Sequence, residues 1–145
     1  MIDVASIRRV PLFRDFADDE AAAVAATVTD RRYGKHQFIV REGDPGDTFF
    51  ILVKGSISVC RIAPDGRETI LSILKEGDFF GEMSLLDGAP RSATVVAEQD
   101  MRVTNFDRGE FVRLVEVSPK IALKLLAALA TRLRAVDQGF VANYG

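Results

Sequence analysis

A chain of 145 residues with 48% hydrophobic and 28% charged side chains has the make-up of one ordinary globular domain, long enough to bury a core without metals or disulfides. A formal net charge of −2 argues against a general affinity for nucleic acid or an acidic membrane surface. The one cysteine, Cys60, has no internal disulfide partner, and the longest apolar run, IALKLLAALA, is broken by Lys124 and too short to span a bilayer. With no stretch that reads as a secretion signal, the expected location is cytoplasmic.

Residues 1–30 read as helical. The alanine-rich DDEAAAVAATV carries Asp18 and Asp19 where a helix N-terminus favours them. From 33 to 107 the period changes: TFFILVKG, SISVCRIA, ETILSIL, ATVVAEQ and MRVTNF are short, β-branched and aromatic, divided by EGDPGD, PDGR and EGDFFGE. Many short strands at near-regular spacing predict a sandwich, barrel or roll, since parallel strands would need helical crossovers for which this zone has no room.

Residues 108–141 return to helix. Asp107 and Glu110 form a capping-box pattern ahead of RGEFVRLVEV, and Ser118 with Pro119 predicts the start of a longer helix. Along it Ala122, Leu126, Leu129, Leu133, Val136 and Phe140 follow a heptad step. Packing on the chain's own sheet is one use of such a seam. Pairing with a second copy is the expectation, because the seam is narrow and runs on toward the end of the chain. The whole, 1–145, is expected to be a single domain.

The stretch FGEMSLLDGAPRSATVVA holds the candidate site. Gly81 lets a ligand approach the backbone, and Glu82 to Leu86 fits one helical turn whose first N–H groups suit an anion. Arg91 carries a planar fork matched to phosphate, and Ser92 adds a hydroxyl and an N–H. Glu82 is wrong for a phosphate but right for a sugar hydroxyl, which needs an acceptor. Together they suit a ligand with both a phosphate and a ribose, whereas a plain Glu82–Arg91 salt bridge closing a surface loop is the structural alternative. His36, the only histidine, reads as a surface residue, so no metal site is expected. Cys60 alone cannot hold a cluster. Without a nucleophile–base pair, the chain is not expected to be an enzyme.

EGDFFGEMSLLDGAPRSATVVA resembles the phosphate-binding cassette of cyclic nucleotide-binding domains, and EGDPGDTFFILVKGSISV resembles the preceding hairpin of the same family. That family includes catabolite activators (Crp/Fnr-like), regulatory subunits of cyclic-nucleotide-dependent kinases and cyclic-nucleotide-gated channels. The resemblance implies a mainly β fold: an eight-stranded double-stranded β-helix, or β-roll of jelly-roll topology, with N-terminal helices and two C-terminal helices. Its cassette would span 80–97. By the same resemblance Glu82 accepts the ribose 2′-OH, and the backbone N–H groups of Gly81, Met83 and Ser84 line the sugar and phosphate side. Arg91 would pair with the cyclic phosphate, helped by Ser92 and the Ala93 backbone.

Arg132, Arg134, Val136 and Asp137 on the last helix are the implied base contacts. Val136 and Asp137 stand where the activators carry hydroxyl residues, and Asp137 complements the donor edge of guanine. Ser92, directly after the cassette arginine, resembles the cAMP-responsive bacterial activators though it could also donate to guanine, and the expected ligand is cAMP, with cGMP as the alternative and no further cofactor. Ligand capture would move the C-terminal helices of a homodimer that acts on a downstream protein. A non-binding β-roll that only dimerises is the alternative of another class. The chain ends at Gly145, without room for the helix-turn-helix that follows in the activators. It is expected to be either a stand-alone sensor or a fragment.

Overall fold

The computed structural model describes residues 2–137, with side chains through residue 135. The chain opens with α1 (Val4–Arg9), a 3-10 turn (Pro11–Phe13) and α2 (Asp18–Thr27). Asp3 caps α1 by accepting from the Ser6 N–H at 2.8 Å, and the Glu20 carboxylate accepts from the Ala17 N–H at the head of α2. Helix was expected to Asp30, but β1 already runs from Thr29 to Tyr33. Thr27, Val28 and Thr29 are β-branched and favour extension, and Asp30 meets the Arg102 guanidinium in two hydrogen bonds of 2.9 and 2.7 Å.

The strands that follow are β2 (Phe38–Val40), β3 (Phe49–Lys54), β4 (Ile57–Ile62), β5 (Glu68–Leu74), β6 (Phe79–Phe80), β7 (Thr94–Ala97) and β8 (Met101–Phe106). They form two four-stranded sheets, β1-β8-β3-β6 and β2-β7-β4-β5, in which every pairing is antiparallel. Helix α3 (Glu82–Asp87) interrupts the strands between β6 and β7, while α4 (Arg108–Val117) and α5 (Lys120–Asp137) close the described chain. This is the mainly β roll with flanking helices that the resemblance implied.

Strand β3 shows how one sheet serves two cores. Phe50 and Leu52 pack between the sheets with Val59, Phe80, Val95 and Val103. Phe49 and Ile51, on the opposite face, join Phe13, Val24, Leu85, Phe106, Leu114, Ile121 and Leu125 beneath the helices. A strand covered on both faces reads as a continuous apolar run, which is what FFIL is.

Asp107 and Glu110 do form the capping box, their side chains accepting from each other's backbone N–H at 2.9 and 3.1 Å. Ser118 behaves differently from the expectation. Its backbone closes α4, and its hydroxyl donates to Glu20 Oε2 on α2 instead of capping α5. Lys120 lies 3.7 Å from the same carboxylate, and Lys124 Nζ lies 3.0 Å from Asp15 Oδ2, so the first half of α5 is fastened to the N-terminal segment.

Candidate functional site

Three segments meet at the cassette: the 41–48 loop, the β6–α3–β7 stretch and the far half of α5. Gly81 has φ +86°, and a β-carbon there would lie 2.6 Å from the Thr48 carbonyl oxygen and 2.9 Å from Arg91 Nη1. Only glycine meets both conditions. The turn it allows starts α3 with Glu82 directed inward.

Glu82, Ser84 and Arg91 are 2%, 1% and 5% exposed, unusual values for a carboxylate and a guanidinium. Gly81 and Ala93 are buried beside them, and Ser92 is half-buried. Met83 turns its side chain to solvent, which leaves its backbone as the part that can serve the site. Both charged groups being buried, they do not close a surface loop.

Arg91 is held by backbone. Its Nη2 donates to the Thr48 carbonyl at 3.0 Å and its Nη1 to the Gly81 carbonyl at 3.5 Å. Its own N–H donates to the Asp44 carbonyl, and its carbonyl accepts from the Gly43 N–H. Burial pulls the guanidinium below its ordinary pKa, opposed by the charges of Asp47 and Glu82.

Glu82 is held by a side chain from far along the sequence. Arg132 on α5 donates Nη1 to Glu82 Oε1 and Nη2 to the Phe79 carbonyl, each at 2.5 Å, with its guanidinium 3.8 Å over the Phe79 ring. Burial raises the pKa of the Glu82 carboxyl above its usual range, and the Arg132 charge opposes that rise. The second oxygen, Oε2, is buried without a hydrogen-bond partner among the described residues. The cassette therefore holds an unanswered acceptor beside a buried cation whose hydrogen bonds among the described residues go to backbone carbonyls.

Arg132, grouped by sequence with the base contacts, thus sits on the carboxylate proposed for the ribose. Arg134 is exposed, and the side chains of Val136 and Asp137, like all of Phe140, lie outside the described residues. The heptad seam splits. Leu126 and Leu133 are exposed at 60% and 67%, but Leu129 is partly buried against the chain's own core, and Leu123 joins the exposed stripe. Gly46, Thr48 and Phe79 were not singled out from sequence. The second glycine of GDPGD is the available signal for the first of them.

A family model described as the cyclic nucleotide-binding domain matches residues 30–118, which takes in β2 to β8, all of β1 but Thr29, and the whole cassette. The chain belongs to the cyclic nucleotide-binding domain family. This domain is 31% identical to the CRP-like cAMP-activated global transcriptional regulator of Mycobacterium tuberculosis, over 88% of its own length and 57% of that protein's. It is 36% identical to the cAMP-dependent protein kinase regulatory subunit of Colletotrichum orbiculare, over 75% of its length and 27% of the subunit's. Among solved structures, the catabolite activator protein of Thermus thermophilus superposes with a TM-score of 0.81 at 34% identity, covering 89% of this domain and 61% of that chain. The domain thus spans less than two-thirds of each of these relatives. Among the described residues no helix is long and apolar enough to cross a membrane, and no cluster of three or more His, Cys, Asp or Glu side chains could hold a metal.

Proposed function

We propose that this domain is a cAMP sensor in which ligand capture at the cassette moves the C-terminal helices. The observation that carries the reading is the state of Glu82: one oxygen held by Arg132 of α5, the other buried and unanswered, with Arg91 in the same cassette. A ribose 2′-OH donating to Glu82 satisfies the orphan oxygen. A cyclic phosphate on Arg91 supplies the counter-charge that Thr48 and Gly81 carbonyls lack. The backbone N–H groups of Gly81, Met83 and Ser84, with Ser92 and Ala93, line the rest of the anion. Preference for cAMP over cGMP is supported by the relatives whose names carry cAMP.

Coupling to the helices follows from what Arg132 touches. Ligand that recruits Glu82 must either share that carboxylate with Arg132 or release it, and this guanidinium, beside the packing of Leu129, ties the far half of α5 to the roll. A ligand shifts such an equilibrium only by binding one helix position better than the other. A ribose hydroxyl on Oε2 and Arg132 on Oε1 share one carboxylate, and that shared seat provides the difference.

The test is a calorimetric titration of the protein with cAMP and with cGMP, repeated on Arg91→Ala. Binding of cAMP that weakens by more than tenfold in the variant supports the reading; truncating a buried charge partner costs about 2–5 kcal/mol and each 1.4 kcal/mol is tenfold. Tighter binding of cGMP overturns the base assignment alone. If neither binds at high micromolar concentration, the sensor reading falls and a β-roll that only dimerises takes its place.

A further inference from the structure

Arg108, the first residue of α4, reaches back across the surface to the cassette helix. Its Nε donates to the Leu85 carbonyl at 2.9 Å and its Nη2 to the Ser84 carbonyl at 3.2 Å. Helix α3 has only six residues, so its last carbonyls depend on donors from outside the helix. Ser84 O also receives the Gly88 N–H at 3.0 Å, and Arg108 adds a donor to each of the Ser84 and Leu85 carbonyls together with a positive charge at the negative end of the helix. Beneath this polar strap, Leu85 of α3 and Leu114 of α4 belong to the same buried cluster. The two helices therefore contribute to one buried cluster and are linked directly by a fork of hydrogen bonds.

We propose that Arg108 is a positioning residue for the nucleotide site, holding α3, and with it Glu82 and Ser84, in place against α4, so that a shift of the cassette helix is carried directly into α4. This rests on the cassette being the ligand site. It adds a route separate from the one through Arg132, which joins Glu82 to α5. The hydrogen bonds of Arg108 go to backbone carbonyls, so it acts through the α3 backbone.

The experiment compares wild type, Arg108→Leu and Arg108→Lys by hydrogen exchange and calorimetry. In the ligand-free protein, Phe111→Leu is used to loosen α4, where Phe111 stacks on Phe106 with ring centres 5.9 Å apart. Exchange across 82–88 should quicken when Phe111→Leu is added to wild type and should not respond when it is added to Arg108→Leu. With nucleotide, Arg108→Leu should bind about tenfold more weakly, in keeping with the loss of charge-assisted hydrogen bonds, and lose the ligand-induced protection of 108–117. Arg108→Lys, which keeps the charge, should recover part of both. Equal transmission from α4 to α3 with and without Arg108 overturns the proposal. The ligand-free comparison decides it even if no nucleotide binds, an outcome that would sink the sensor reading by itself.

Discussion

A β-carbon on Gly46 would lie 2.2 Å from Arg91 Nε and 2.6 Å from its Cζ, so the position admits nothing larger than hydrogen while Arg91 keeps its place. The φ of Gly46 lies outside the left-handed region, and alanine meets no backbone strain there. Gly46→Ala is therefore a steric probe of the guanidinium. Its expected result is nucleotide binding weakened about tenfold or more, one decade being about 1.4 kcal/mol. The melting temperature should move little, since the entropic gain of about 0.4–1 kcal/mol offsets part of the displaced arginine. Calorimetry beside a thermal melt checks both, and unchanged affinity would mean that Arg91 does not meet the phosphate from this position. Glu82 and Arg91 were legible because their chemistry is local to one stretch. Gly46 was not, since its reason for being glycine is an arginine from another segment of the chain.

At the scale of elements, α5 has two faces that one apolar seam did not separate. Ile121 and Leu125 enter the core, Ala128 and Arg132 continue that inward line, and Leu123, Leu126 and Leu133 stay outside. A heptad count registers leucines and passes over an inward arginine, whose partner, Glu82, is fixed only by the fold. Arg132→Leu should therefore do two things. Breaking a buried pair from one side costs about 3–5 kcal/mol, because Glu82 is left buried and uncompensated. It also removes the charge that opposes the burial-driven rise in the Glu82 pKa. A carboxyl with a raised folded pKa makes the native state hold its proton longer than the unfolded chain. Stability is then lost as pH climbs from the ordinary glutamate range, about 4.3, through the folded value. Melts between pH 4 and 8 should fall more steeply with pH for Arg132→Leu than for wild type. Hydrogen exchange across 118–137 should also cease to respond to nucleotide. A response kept at wild-type strength would remove Arg132 from the coupling.

For the molecule as a whole, strand existence and the turn glycines were readable from period and composition. The pairing order β1-β8-β3-β6 was not, because it depends on contacts between ends of the roll that no local pattern records. The same limit applies to assembly, for which the exposed stripe Leu123, Leu126 and Leu133 is the relevant surface. Their spacing keeps them on one side of α5, away from the Ile121–Leu125 face, and we propose that this stripe pairs with a second copy about a two-fold axis. Burying a leucine side chain contributes about 1.5–3 kcal/mol, and in a two-fold dimer every substitution acts twice. Leu126→Glu combined with Leu133→Glu should thus weaken a dimer by at least about a thousandfold. Sedimentation should show wild type as a dimer and the double variant as a monomer at the same micromolar concentration. The cassette is built within one chain, so the variant should still bind nucleotide. A wild type that sediments as a monomer would end the dimer reading, and the leucine stripe would then have to face some other partner.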